Sequence, residues 1–255
     1  MQQPDWERFD QSLVIGRRVY GFRQVSSTMI VAWELAEAGA AHGTAVIADA
    51  QTEGRGRLAR AWVSGAGESL LVSVLLRPPA SLTPLLTMVG CLAVRDTVRE
   101  LTGLETAVKW PNDLQYGGKK LCGVLAEGRT DTAGEGTAVL GIGLNVSLDV
   151  EAHEELRGRA TSLDAETGKD VDLSQVAEVL FRRLDQVYRD AEGGADIVGR
   201  WRDALDTLGK QVSVRVREGM LTGMAEDVDD VGRLLVRTDD GALHVVSEGD
   251  VTLAG

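Results

Sequence analysis

Residues that support redox or structural-metal chemistry are scarce in this chain. Its 255 residues include two cysteines and three histidines. His42, His153 and His244 lie far apart in sequence and none stands in a zinc-type spacing with a cysteine. Cys91 falls in an apolar helical pattern and Cys122 in an apolar strand pattern, so both read as small core residues rather than a disulfide framework or reactive thiols. No apolar run reaches the roughly 18 residues of a membrane span, and residues 1–10 show no basic cluster ahead of an apolar stretch. The expectation is a soluble cytoplasmic protein with no membrane partner. Basic charge is also in deficit, 27 Lys and Arg against 39 Asp and Glu, for a formal charge of -12. That balance repels nucleic-acid phosphates unless the basic residues gather in one place, so no nucleic-acid partner is expected.

What is present is a chain of ordinary core-forming composition, 44% hydrophobic, long enough for a large domain and a small one. Ser26, Ser27 and Thr28 stand as hydroxyl caps before Met29, Ala32, Trp33, Leu35 and Ala36, an apolar stripe at helical spacing that ends near Gly39. Segments 44–50 and 69–76 read as strands around a Gly- and Arg-rich loop. A long helix follows over 82–101, then strands at 106–110, 120–127 and 138–146. Residues 172–206 read as helical, broken by Gly193 and Gly194. After Leu208 and Gly209 the texture turns to four short alternating segments, VSVRV, LTGMAEDV, GRLLVRT and ALHVVSEGDV, the pattern of a small β-barrel. The prediction is an α+β fold with a mixed sheet carrying helices on one face in residues 1–207, and the barrel in 208–255.

Two stretches carry candidate chemistry. In QTEGRGRLARAW, from Gln51 to Trp62, three arginines sit within six residues on a glycine-containing loop. Their mutual repulsion is offset by an anion, and a guanidinium fork suits phosphate oxygens; the alternative is a plain solvated basic loop. No Gly-Lys-Ser/Thr follows, so this is not a Walker loop. Trp62 reads either as a core anchor or as a surface on which a base stacks. In the second stretch, Lys109 precedes Trp110 and Pro111 on a stiff backbone, as a group that stabilises developing charge should. Asn112 and Asp113 suit a base edge, a magnesium ion or their own turn.

Together GRGRLARAW, KWPND, KKLCGVLAE and GIGLNV, in this order and at these separations, resemble the catalytic domain of the biotin protein ligases. The likeness runs from about Tyr20 to Val251. It implies a class II synthetase-like catalytic domain and an SH3-like C-terminal domain. It also implies a ligase that uses ATP and magnesium to make biotinyl-5′-AMP and passes biotin to a lysine of the biotin carboxyl carrier protein of a biotin-dependent carboxylase. Only about 20 residues precede Tyr20, too few for the winged helix of members that also repress transcription. A monomer and a homodimer both fit.

Carried over by residue, the resemblance gives Ser27, Thr28, Gln51, Arg55, Gly56, Arg57, Lys109, Gly123 and Leu125 to biotin. It gives Arg57, Arg60, Trp62, Lys109, Asn112 and Asn145 to ATP and the adenylate, with Lys109, Arg57 and Arg55 as the catalytic cations and no metal ligand identified. Two positions depart from the family pattern. Met29 stands where Asn often follows Ser-Thr, and the chain ends Leu253-Ala254-Gly255 without the arginine common near the end of the barrel. The competing readings are a lipoate or octanoate ligase or transferase, a biotin-responsive DNA-binding regulator, and a non-catalytic biotin-binding module.

Overall fold

In a computed structural model of the chain, residues 12–130, 136–216 and 219–253 are described. The larger part is a seven-stranded sheet in the order β1-β2-β3-β7-β6-β5-β4. Its strands are β1 (Val19–Val25), β2 (Ala45–Gln51), β3 (Ser69–Leu76), β4 (Ala107–Lys109), β5 (Asp113–Tyr116), β6 (Lys119–Thr130) and β7 (Gly136–Asn145). Only β1 and β2 pair in parallel, joined through helix α1 (Thr28–Glu37) as a crossover; the rest of the sheet is antiparallel. It is therefore mixed, as predicted.

Alternation along the strands divides the sheet into two unlike faces. Ile47, Leu70, Val72, Val74, Leu140, Ile142 and Leu144 turn to one face. There they meet α2 (Leu86–Thr102) and α4 (Leu173–Glu192) in the main core. Helix α4 shows why it lies there: Val176, Ala177, Leu180, Phe181, Leu184 and Val187 fall at helical spacing on one side, and Asp172 caps its first turn through Ser174 N at 2.7 Å. The small α3 (Leu163–Thr167) and α5 (Ile197–Asp203) complete this layer.

The prediction that the helices share one face needs one amendment. Helix α1 packs on the opposite face, where Met29, Ala32 and Trp33 meet Val46, Leu75 and Val139 in a separate small cluster. It covers only part of that face, so the remainder of the sheet there is left uncovered by helix.

The C-terminal part is a five-stranded antiparallel sheet of SH3-like type, ordered β11-β10-β9-β8-β12. Its strands are β8 (Gln211–Val216), β9 (Gly219–Val228), β10 (Leu234–Arg237), β11 (Leu243–Val246) and β12 (Asp250–Leu253). The last predicted segment, ALHVVSEGDV, is two strands rather than one: it turns at Ser247–Gly249 and sends β11 and β12 to opposite edges. The chain also has strands at β1 and β5 that the pattern did not announce. Cys91 and Cys122 are buried and unpaired. Burial pushes both thiols well up, so they stay protonated at neutral pH.

The N-terminal segment is tied down by one carboxylate. Asp185 on α4, nearly inaccessible, accepts the N–H groups of Val14 and Ile15, each at 2.9 Å, and pairs with Arg189. Asp185→Ala leaves the Ile15 N–H buried without this acceptor, an expected loss of about 2 kcal/mol. Urea unfolding should show a lower midpoint at unchanged slope; an unchanged midpoint would refute the tie.

Candidate functional site

The uncovered part of the α1 face carries a cleft with an empty volume of about 950 Å³, open solvent at its mouth included. Its floor follows from strand register. Cross-strand partners share a face, and the pairs Lys109–Asp113, Asp113–Gly123, Gly123–Gly143 and Gly143–Leu71 form a row across five strands. A second row runs Leu125, Gly141, Ser73 and Val46. Three of these positions are glycine, so the floor is sunk where side chains would otherwise stand. A Cβ on Gly143 would come within 2.6 Å of the Trp62 indole and one on Gly123 within 3.0 Å, so Trp62 lies flat on the paired glycines. Both earlier readings of Trp62 meet here, because one ring face is seated on the sheet at the edge of an open cleft.

Residues 54–62 form a narrow hairpin rather than an irregular loop. Gly56 N donates to Arg60 O at 2.7 Å and Trp62 N to Gly54 O at 3.0 Å, closing a turn over Arg57–Ala59. At its tip Leu58 is held in the left-handed region, φ 54°, with its side chain more than half exposed. A branched hydrophobic residue in that conformation is strained, which marks the tip as a shaped element. The hairpin leans Arg55, Gly56, Arg57 and Arg60 over the cleft.

One end of the cleft is polar and buried. The Thr28 N–H and hydroxyl both donate to Gln51 Oε1, at 2.8 and 3.1 Å, and the hydroxyls of Thr28 and Ser73 lie 2.8 Å apart. Since the Thr28 proton goes to Gln51, Ser73 donates to Thr28 and keeps its lone pairs for the cleft. Ser27 occupies the N-cap of α1 without making the side-chain cap common at that position, and Gln51 Oε1 accepts the first N–H of the helix, that of Thr28, instead. The Ser27 hydroxyl is buried with no hydrogen-bond partner. A buried unpaired hydroxyl costs about 1–3 kcal/mol, which a ligand group can recover.

The other end is cationic. Arg55, Arg57, Arg60, Lys109 and Lys120 line the cleft against a single carboxylate, Asp113, reversing locally the -12 charge of the chain. Lys120 was named only as part of a motif, and strict alternation puts it with Cys122 and Val124 toward the core. A β-bulge changes that: Leu114 pairs with Cys122 but Gln115 pairs with Lys120, so Leu121 is an extra residue that turns Lys120 to the cleft. There its Nζ lies 2.7 Å from Asp113 Oδ1 and 5.4 Å from the centre of the Trp62 ring. Two consecutive apolar residues, Leu121 and Cys122, interrupt the alternation of the strand in sequence, and both are buried.

Of the predicted residues, Ser27, Thr28, Gln51, Arg55, Gly56, Arg57, Arg60, Trp62, Lys109, Asn112, Gly123 and Leu125 all border this cleft. Asn112 does so with its amide engaged, donating to Val124 O at 2.7 Å. Asn145 is not brought to it. That side chain is buried between Ser69, from which it accepts at 3.2 Å, and Thr161 O, to which it donates at 2.9 Å, so it fastens β7 to the following loop. Pattern reading did not single out Ser73, Lys120, Gly141 and Gly143, all of which face the cleft, as does Asp113, named above with Asn112. The position of the absent C-terminal arginine lies outside the described residues.

If the glycine shelf seats Trp62, Gly143→Ala lifts the indole into water. Intrinsic fluorescence should shift to the red in this variant and stay unchanged when the same substitution is made with Trp62→Phe. No shift in the single variant would mean the ring does not rest on the shelf.

Two family models match the chain. Residues 20–145 match the Biotin/lipoate A/B protein ligase family, and residues 207–253 match the Biotin protein ligase C terminal domain. The chain is 35% identical to the bifunctional ligase/repressor BirA of Bacillus subtilis over 92% of its own length and 74% of that protein. It is 36% identical to the biotin acetyl-CoA-carboxylase ligase of Mycobacterium tuberculosis over 82% of its length and 78% of the relative. Among solved structures, a biotin protein ligase from Aquifex aeolicus in complex with biotin and ATP superposes with a TM-score of 0.79 at 32% identity, covering 93% of this chain and 99% of that one. The chain belongs to the biotin protein ligases of the Biotin/lipoate A/B protein ligase family.

Proposed function

We propose that this chain activates biotin with ATP as biotinyl-5′-AMP and transfers the biotinyl group to one lysine of the biotin carboxyl carrier protein of a biotin-dependent carboxylase. The observation that carries the reading is the two-ended cleft. Biotin has a cyclic urea at one end, with two N–H donors and one carbonyl, and a carboxylate at the other. The unpartnered Ser27 hydroxyl suits the urea carbonyl and the Ser73 lone pairs suit a urea N–H. Gly123, Gly143, Leu125 and Trp62 give the aliphatic chain an apolar path toward the cations. A lipoyl or octanoyl group would leave the buried polar end unpaired, which argues for biotin over those acids.

A free carboxylate does not acylate an amine at neutral pH, because its oxygen is a poor leaving group. Attack of the carboxylate oxygen on the α-phosphorus of ATP forms the mixed anhydride and releases pyrophosphate. Two anions must meet for this, and Arg55, Arg57, Lys109 and Lys120 offset the charge that accumulates. Lys109 stands here as proposed from the family pattern; Lys120 joins it on the strength of its bulge and its contact with Asp113. Among the described residues no group of three or more His, Cys, Asp or Glu side chains could hold a metal. Magnesium would enter this site with the ATP phosphates and would offset their charge, with Asp113 the carboxylate at hand on the cleft floor. The arginine hairpin then excludes water from the anhydride until the carrier lysine attacks its carbonyl carbon and AMP departs.

Biotin should drive exchange of label between pyrophosphate and ATP. Lys109→Ala and Lys120→Ala should each slow exchange by about a hundredfold, the loss of roughly 3 kcal/mol of transition-state stabilisation, with a smaller effect on biotin affinity by calorimetry. Equal losses in rate and affinity would refute a transition-state role for that lysine.

Arg57 is proposed to retain the adenylate as well as to help form it. Arg57→Gly removes a charge-assisted contact worth about 1.5–3 kcal/mol and loosens the hairpin, so biotinyl-AMP should escape and label bystander amines. Biotin blotting of a mixture of carrier and albumin reads this. Undiminished selectivity for the carrier at a measurable rate of adenylate formation would show that Arg57 does not hold the intermediate.

A further inference from the structure

We infer that the C-terminal domain positions the reacting turn, acting through Trp110; this rests on the function proposed above. Residues 109–113 hold Lys109 and Asp113 at the cleft, while Trp110, between them in the chain, is turned inward and only 2% exposed. Its two polar hydrogens are both claimed. The backbone N–H donates to Thr207 Oγ1 at 2.9 Å, and the indole Nε1–H donates to the carbonyl of Gly232 at 2.9 Å. Thr207 lies in the segment that leads into the C-terminal domain, where the match to that domain's family model begins, and Gly232 lies in the turn between β9 and β10 of that domain.

The Gly232 end of this clamp packs against the large domain. Gly232 has φ +80°, and a Cβ there would come within 2.1 Å of Met88 Cε on α2 and 3.4 Å of Trp201 on α5. The positive φ favours glycine here, and the turn packs against the Met88 and Trp201 side chains of the two helices. Strand β4, the edge of the large sheet, is fixed from the same side. Val108 N donates to Ala204 O at 2.8 Å and Asp206 N to Val108 O at 2.9 Å, so the segment leading into the small domain closes the outer side of the strand that ends in Lys109. Arg202 adds a further tie, donating to Val228 O at 2.9 Å and pairing with Asp227 at 2.8 Å.

The consequence concerns rate more than binding. A cation helps an in-line displacement only if it stands where charge develops, and displacing a group by about 1 Å can cost up to a hundredfold. The urea end of the cleft, built from α1, β2 and β3, has no part in the clamp. Trp110 is thus a positioning residue, and the small domain is part of the machinery that forms the adenylate.

The test uses the full chain. Trp110→Phe keeps a buried ring and removes the Nε1–H donor; Thr207→Val removes the hydroxyl acceptor and Thr207→Ser keeps it. We expect kcat for biotin-dependent pyrophosphate exchange to fall about tenfold in Trp110→Phe and Thr207→Val. Biotin Kd should stay within about twofold, and Thr207→Ser should recover the rate. Amide hydrogen exchange gives a readout that needs no activity: Lys109, Asn112 and Asp113 should exchange faster in the first two variants while Ser27 and Thr28 do not change. Unaltered exchange at 109–113 overturns the clamp, whether or not the parent is active. So does a loss of rate matched by an equal loss of biotin affinity, or a Thr207→Ser variant as slow as Thr207→Val. A parent chain with no biotin-dependent exchange, beside faster amide exchange in the variants, would uphold the clamp and refute the proposed substrate.

Discussion

An indole seated on two paired glycines sets the form of the site. Gly123 and Gly143 are cross-strand partners, and any side chain on Gly143 would collide with Trp62. Their lack of side chains sinks the floor of the sheet, lets Trp62 form a wall above it, and gives the Lys120 ammonium an aromatic face to stand over. The large aliphatic residues of the same strands point to the other face and secure the sheet to α2 and α4. One face can therefore be hollow because the other is packed, and α1 covers the hollow face only far enough to present Ser27 and Thr28.

Electrostatics completes what packing begins. The chain is strongly acidic, yet five cations and one carboxylate line this cleft. Holding like charges together costs free energy, and the cost is met when an anion binds between them. Asp113 tempers the arrangement by pairing with Lys120, which fixes the ammonium in place at the floor. The polar end works through hydrogen bonds: Gln51 accepts the first N–H of α1, while the Ser27 hydroxyl beside it is buried and unpaired, open to a ligand.

Much of this was legible in the residues, and the gaps have physical causes. Strong periodicity revealed α1, α2 and α4 and the strands β2, β3, β6 and β7, since each has one face in a core. Strand β1 has no buried residue at all, and β5 has four residues of which only Leu114 is buried, so neither has an apolar pattern to read. The motifs led to the arginine hairpin and Lys109 because their residue types are costly without a ligand. Lys120 stayed hidden because a bulge reverses its side, and Ser73, Gly141 and Gly143 because small residues on a strand look alike whether they pack or make room. Asn145 sits in a family motif, but its amide serves the fold between Ser69 and Thr161. The face taken by α1 depends on the parallel crossover between β1 and β2, a pairing between strands that no local pattern encodes.

The account holds that a cleft polar at one end and cationic at the other selects a urea-bearing acid for activation and transfer. Its most direct test offers biotin, lipoate and octanoate together, with ATP and magnesium, to the chain and a biotin carboxyl carrier domain, and weighs the carrier by mass spectrometry. The account predicts a single biotinyl addition on one lysine and no other acyl group. A lipoyl or octanoyl addition, or an unmodified carrier beside accumulated biotinyl-AMP, would contradict it.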